Sequence, residues 1–229
     1  MLSDRMMYAD RALHADLLES LRRGSAETLY DSPHTVLLRE RSSGVLLFAG
    51  EHLEEGARVL SGLSADETLI VRGDRFMEFA RDKLGLSQIV PCWQVLYEKD
   101  EPLPLCGSLL LRHPSEQDFA RVRETYSTES DDALRADFDR DDFLGGYVGG
   151  QFVGYIGTHS EGAMGLLEIF PEFRRRGYAQ EIYSALINRQ LRAGCLPYAQ
   201  VVEGNEASLA LQRKLGFTFS RQRIFWMWR

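Results

Sequence analysis

Three arginines in a row, Arg174, Arg175 and Arg176, stand against Gly177 in the stretch EFRRRGYAQEI, residues 172–182. Clustered guanidinium groups beside a glycine are suited to holding an anion, and their position sharpens that reading. The apolar run AMGLLEIF before them ends at Pro171. From Ala179 the apolar residues Ile182, Tyr183, Leu186, Ile187 and Leu191 recur at helical spacing until Gly194. The arginines therefore fall between a strand and the start of a helix. There the first backbone N–H groups lack intrahelical acceptors and the helix dipole is positive, so a phosphate can be held mainly by main chain. Gly177 has no side chain and Ala179 a short one, which lets an extended diphosphate approach the backbone while the arginines add charge at the rim. A nucleotide P-loop is excluded, because no Lys followed by Ser or Thr comes after Gly177. On these residues alone, a solvated basic surface stays open as the alternative.

Stepping outward, the chain around this spot is acidic. Its 229 residues are 44% hydrophobic and 27% charged, with 27 Lys plus Arg against 34 Asp plus Glu. That composition fits a folded protein with one large or two small cores, and the acidic balance argues against bulk nucleic-acid binding. Cys92, Cys106 and Cys195 have no paired spacing, so neither a disulfide framework nor a metal site is expected and a reducing cytoplasmic setting fits. The charged N-terminus and the lack of a long apolar run point away from a signal peptide or a membrane partner.

The periodicity divides the chain into two halves near EKDEPLPLCG, where Pro102 and Pro104 interrupt it; the boundary is drawn as 1–104 and 105–229. In the first half Leu13, Leu17, Leu18 and Leu21 predict a helix stopped by Gly24. TVLLRE and VLLFAG flank the hairpin signal RSSG, a helix follows from Glu51 to Gly62, and TLIVRG reads as a strand. Asp74 is the expected N-cap of the next helix, with Phe76, Phe79, Ala80 and Leu84 as its buried stripe, and CWQVLYEK is a strand. In the second half CGSLLLRH is a strand and SEQD, residues 115–118, is a capping box for a helix with Phe119, Val122 and Tyr126 inward. A helix is expected near Asp131 to Phe138, and FLGGYVGGQFVGYIG is a hairpin turning at Gly149 and Gly150. The aromatic end RIFWMWR reads as a final strand, equally suited to packing within the chain and to a homodimer contact.

RRRGYA, Arg174 to Ala179, resembles the R/Q-x-x-G-x-G/A acyl-CoA motif of the GNAT family of N-acyltransferases. The likeness runs on through LLEIFPEFRRRGYAQEIYSALINRQLRAGCLPYAQVVEGNEASLALQRKLGF, in the family's order of strand, phosphate loop, helix, splayed strand and asparagine-led helix ending in Gly-Phe. HSEGAMGLLEIFPEFRRRG and VVEGNEASLALQRKLGF look most like the glycine N-acyltransferase-like branch. The resemblance covers roughly Gly107 to Arg229. It implies an α/β (α+β) GNAT fold, a mixed twisted sheet with flanking helices. The first half, lacking a glycine motif at FAGEHLEEG, reads as a degenerate tandem copy, with an unrelated α+β domain as the alternative.

Carried over by position, the resemblance implies acetyl-CoA or another short acyl-CoA as co-substrate and no metal. The backbone of a bulged strand at Leu167, Glu168 and Ile169 would pair with the pantetheine arm and polarise the thioester. The pyrophosphate would lie on the loop and helix start, Arg174, Arg175, Arg176, Gly177, Tyr178, Ala179 and Gln180, while Asn205 matches the family's cofactor-contacting asparagine and Ser208 follows in the same helix. The amine would attack the thioester directly in a ternary complex.

The acid and base depart from the pattern. The tyrosine that many members carry seven residues after the asparagine is Gln212, and the base found five residues before it is Gln200. Tyr183, Tyr198 and Ser208 are the candidate substitutes for the acid, with a structural role as the alternative for each. A thiol with pKa near 8.5 forgoes only about 2 kcal/mol of driving force when it leaves unprotonated near pH 7. The glutamate that other members carry on the bulged strand is Ala163. Glu161 shares that strand face if the segment is extended, and Glu168 has the opposite parity; these are the two base candidates, Glu161 preferred, with His159 as a relay. A weak base favours less basic acceptors: an α-amine of pKa about 7.7–8.0 is roughly a tenth to a sixth deprotonated at pH 7, a lysine only about one part in a few thousand. A small-molecule amine or amino acid is thus the expected acceptor, ahead of a protein N-terminus or lysine. Glu129, Asp131, Asp132, Asp137, Asp139, Asp141 and Asp142 would border the acceptor cleft, or form a solvated acidic face. Two readings from other classes remain: an acyl-CoA-binding sensor or scaffold without turnover, and a module whose basic loop binds an acidic partner.

Overall fold

Leucine stripes, glycine stops and paired β-rich runs lay the elements down in the expected order. The computed structural model describes residues 1–64, 66–125, 131–140 and 143–229. In chain order they are α1 (Asp4–Ala9), α2 (Ala15–Arg23), β1 (Ala26–Ser32), β2 (Thr35–Glu40), β3 (Leu46–Gly50), α3 (Leu53–Leu60), β4 (Leu69–Arg72), α4 (Asp74–Phe79), continued by a π-turn to Leu84, and β5 (Gln88–Leu96). Then come β6 (Leu110–Arg112), α5 (Glu116–Thr125), α6 (Asp131–Asp139), β7 (Phe143–Val148), β8 (Gln151–Thr158), β9 (Met164–Ile169), α7 (Tyr178–Arg192), β10 (Tyr198–Val202), α8 (Glu206–Leu215), β11 (Thr218–Phe219) and β12 (Ile224–Trp228). This is a mixed α/β fold with twisted sheets and flanking helices. Among the described residues no helix is long and apolar enough to cross a membrane.

The chain forms two compact units, and the cut is not at 104/105: one unit joins Met1–Tyr97 to Tyr198–Arg229, the other is Glu98–Pro197. In the first, the sheet order is β1-β2-β3-β4-β12-β5-β10, with β11 also on β5. β12 lies between β4 and β5 and pairs with both, burying Ile224, Phe225 and Met227. The aromatic end RIFWMWR thus pairs within the chain's own sheet, while Trp228 at its end stays exposed. Phe48 and Phe76 meet edge to face at 4.9 Å at the centre of the core beneath α3 and α4. Gly24, left-handed at φ 69°, ends α2 as expected. Asp74 is not an N-cap: Gly73, at φ 78°, holds that position, and the Asp74 carboxylate accepts from Arg223 at 2.8 Å.

In the second unit the sheet order is β6-β7-β8-β9. Gly149 and Gly150, both at positive φ, turn the β7–β8 hairpin as expected. The Asp118 carboxylate reaches back to the Ser115 N–H at 2.9 Å, the capping-box bond that starts α5. Tyr126, Glu129, Asp141 and Asp142 lie outside the described residues. The core is aromatic, with Phe143, Tyr147, Phe152, Tyr155 and Phe170 packed together. α7 crosses the sheet closely enough that a Cβ on Gly146 would come within 2.7 Å of Ile182. The carboxylate of Glu181, buried in α7, accepts from the Ser108 N–H at 3.0 Å, tying the helix to the segment that enters β6.

Candidate active site

β9 is bulged, as the resemblance implied. Leu166 sits in the left-handed region at φ 57°, and the pairing with β8 slips between Tyr155 and Gly157. A branched-chain residue takes this conformation only where its surroundings impose it. Nothing in the sequence marked Leu166 as the bulge, since the neighbouring Gly165 is the residue type that would be expected there. Gly165 serves another purpose: the His159 imidazole lies over it, leaving no room for a side chain. β9 is also the last strand of its sheet, with one edge on β8 and no strand of the described residues on the other. The Phe170 N–H is spent on the Val153 carbonyl at 3.1 Å. Strand alternation then turns the N–H groups of Ile169 and Leu167 to the open edge and that of Glu168, which faces Tyr155, inward.

After β9 a single 3-10 turn, Pro171–Phe173, leads to the arginines. Arg175 (φ 63°) and Gly177 (φ 86°) are both left-handed, and α7 starts at Tyr178 with no side-chain cap. The first helical amide with a backbone acceptor is that of Glu181, which donates to the Gly177 carbonyl at 3.2 Å. The amides of residues 175–180 donate to no acceptor among the described residues. This run of unspent donors, at the positive end of a 15-residue helix, is the arrangement a diphosphate requires. Arg175, Arg176, Gly177, Tyr178, Ala179 and Gln180 therefore come together as one cradle.

Arg174 does something different. Its Nε donates to the Ile169 carbonyl and its guanidinium pairs with the Glu168 carboxylate, both at 2.8 Å. It clasps the loop to the end of β9 and is not free charge at the rim. Arg176 donates to the Glu172 carbonyl at 3.0 Å, and Arg121, stacked on Phe170 at 3.7 Å, pairs with the Glu172 carboxylate.

Both base candidates acquire a local context. Glu168 is held in the pair with Arg174, half-exposed and therefore breakable. Glu161 is buried, but in the β8–β9 turn closed by the Gly162 N–H to the His159 carbonyl at 2.8 Å, with β9 starting only at Met164. The segment is not extended at Glu161, so the shared strand face with Ala163 does not hold.

The remaining family positions belong to the other unit. Asn205 caps α8, its Oδ1 accepting from the Ser208 N–H at 3.1 Å, and Gly216 in the left-handed region ends that helix before the buried Phe217. Gln200, on β10, is fixed by two side chains: its amide donates to Gln94 at 2.8 Å, and it accepts from the Trp226 indole at 2.6 Å. Gln94 in turn donates to Asp16 at 3.1 Å, and Asp16 pairs with Arg72, all buried. Gln212 is buried in α8 beside Leu209 and Leu215. Tyr198 is buried in this unit, and Tyr183, on α7, is buried in the second.

Known proteins share this fold. Residues 147–226 match the family model described as FR47-like protein. The stretch takes in β8, β9, the arginine loop, α7, β10 and α8. Among solved structures, a Drosophila protein superposes with a TM-score of 0.64 at 18% identity, over 84% of this chain and 73% of its own. A putative acetyltransferase of the GNAT family from Novosphingobium aromaticivorans gives 0.57 at 17% identity, over 96% of each chain. A GCN5-related N-acetyltransferase from Sphaerobacter thermophilus gives 0.56 at 13%, over 96% and 90%. No curated protein sequence matches. The chain has the GNAT fold, and residues 147–226 are similar in sequence to FR47-like proteins.

Proposed function

We propose that this protein is an acyl-CoA-dependent N-acyltransferase that moves an acetyl group from acetyl-CoA to the primary amine of a small molecule or amino acid. The observation that carries the proposal is the run of unspent amides at residues 175–180 directly after a bulged strand with an open edge. The pyrophosphate lies on those amides. The pantetheine arm adds to the open edge of β9 as an extra strand would, and the N–H groups of Leu167 or Ile169 polarise the thioester carbonyl. Asn205 and Ser208 are the proposed cofactor contacts from α8. The amine attacks in a ternary complex, and rate comes mainly from aligning two bound reactants. Its proton goes to Glu161 or Glu168. With Gln212 where the family places its acid, the thiolate leaves unassisted, and with Gln200 where some members place a base, weakly basic acceptors such as amino acids are favoured. The likeness to the glycine N-acyltransferase-like branch and the reading of the first half as a degenerate tandem copy belong to the same proposal. Free Cys92, Cys106 and Cys195 accord with a cytoplasmic setting.

One observation favours a second reading. Gln200 is held at a half-buried strand position by Gln94 and Trp226, and Gln212 is buried in α8, as structural residues would be in a protein that binds acyl-CoA without turning it over. Thiol release from acetyl-CoA across a panel of amino acids, amines and peptides separates the two. Turnover is expected with an α-amine acceptor, falling about a hundredfold in either Glu161→Gln or Glu168→Gln. CoA binding without thiol release from any acceptor would establish the sensor, and absence of CoA binding would end both readings. Turnover unchanged in both variants would reject the bases.

A further inference from the structure

Outside the residues proposed to hold acyl-CoA, two of the chain's five histidines meet at one corner of the larger sheet. His34 is at the tip of the β1–β2 hairpin; Glu51 and His52 form the junction between β3 and α3. A ligand atom from each of the three lies within 4.8 Å of the others. His34 Nδ1 is 2.6 Å from the Glu51 carboxylate, and the two imidazole rings stand 4.8 Å apart, tilted by 54°.

The main chain fixes this meeting. The Glu51 N–H donates to the His34 carbonyl at 2.8 Å, Thr35 pairs with Gly50, and Ser32 Oγ accepts from the N–H groups of His34 and Thr35 at 3.3 and 3.0 Å. All three side chains are exposed, so each can turn and each can be reached from solvent. Two imidazoles and one carboxylate are a donor set for first-row divalent cations, with water completing a tetrahedron. In such a site ligand atoms about 2.0–2.1 Å from the metal stand about 3.3 Å from one another. The spacing here straddles that value, so side-chain rotation alone would close the set. Glu54 and Glu55 in the first turn of α3 add negative charge. Arg75, which donates to the carbonyls of Gly50 and Glu51, opposes the cation.

We propose that His34, Glu51 and His52 bind a divalent cation of the zinc class and clip the β1–β2 hairpin to the start of α3. The proposal is independent of the acyl-CoA reading, since none of the three residues belongs to that site. His34 is 17 residues from Glu51, a separation that matches no short ligand motif, and for that reason the cysteine spacing alone led to an expectation of no metal.

The test is calorimetric titration of the full chain, without an affinity tag, with Zn²⁺, supported by Co²⁺ absorption spectra. One saturable site per chain is expected, weakened at least about tenfold in His34→Ala, His52→Ala and Glu51→Gln. Zn²⁺ should raise the melting temperature of the parent and leave those variants where they are. The side chains are exposed, so the metal-free variants should melt with the parent and remain interpretable. No saturable Zn²⁺ binding to the parent would overturn the proposal. So would a site that survives His34→Ala and His52→Ala, which would belong to other donors such as the exposed Cys106.

Discussion

The junction after β3 and the junction after β9 follow the same sequence of strand, turn, helix and strand, yet offer an anion very different surroundings. After β9 the turn is left-handed at Arg175 and Gly177, the amides of residues 175–180 are unspent, and one edge of the strand is open. After β3 the turn is Glu51–His52, and no residue from Gly50 to Leu53 has a positive φ. β4 pairs in parallel with β3 at Leu46 and Leu47. Beyond that point the Phe48 carbonyl is taken by the Arg72 guanidinium at 2.7 Å, which also donates to the Leu13 carbonyl and pairs with Asp16. The gap beside the strand is filled from within. The two glycines divide accordingly. A Cβ on Gly177 would meet nothing within 4 Å, so this residue is required for its backbone angle. A Cβ on Gly56, in α3, would lie 2.4 Å from Phe76 and 2.9 Å from Phe48, so that residue is required for space. One topology can thus serve as a site or as a core. The outcome turns on whether the leading strand keeps a free edge and whether the turn leaves its amides unpaired.

The strongest way to break this contrast is Arg72→Ala. Asp16, whose Oδ2 already has no partner, would be left as a buried uncompensated charge. The expected loss is about 3–5 kcal/mol of stability in chemical denaturation, with CoA affinity per folded molecule unchanged. A fully stable Arg72→Ala would mean that the filled gap is not what closes the first junction.

Next in size is a crossed pair. Gly177→Val forces a β-branched residue into the left-handed region, which costs about 1–3 kcal/mol of stability, and should also weaken CoA binding by about 10–100-fold. Gly56→Ala, destabilised by about 1–3 kcal/mol through overpacking, should leave CoA affinity alone. If both variants lost affinity, or neither did, the division into a site glycine and a packing glycine would fail.

How much of this was legible depended on the kind of signal. The glycine stops at Gly24 and Gly194, the Gly149–Gly150 hairpin and the stripes of α4 and α7 were readable because local chemistry decides them. β1 and α1 were not. β1 is an edge strand, mostly half-buried or exposed, whose Glu27 and Asp31 blur its alternation, and α1 is only 6 residues long. The loop from Arg174 to Ala179 was legible as the link between strand and helix because it is contiguous. The pairing of Arg174 with Glu168 and the turn at Glu161 were not, since both depend on where β9 starts and where it bulges. The placement of β12 between β4 and β5, and the meeting of His34 with Glu51 and His52, are long-range facts that no local pattern encodes.

The smallest expected effect separates charge from main chain within the loop itself. Arg174 is excluded from this comparison, because its bonds to Glu168 and Ile169 hold the loop in place. Arg175 is the informative position: it pays for a left-handed backbone that glycine would adopt without strain. Arg175→Gly removes a positive charge and eases the conformation at once, whereas Arg176→Ala removes a charge at a position with ordinary φ. If the amides hold the diphosphate, Arg175→Gly should cost CoA affinity no more than a few-fold, Arg176→Ala a similar few-fold, and both losses should fade as salt is raised from about 0.05 to 0.5 M. A basic surface patch would behave otherwise. Each arginine removed would then cost about the same large factor, Arg175→Gly included, and binding by the parent would itself collapse at high salt.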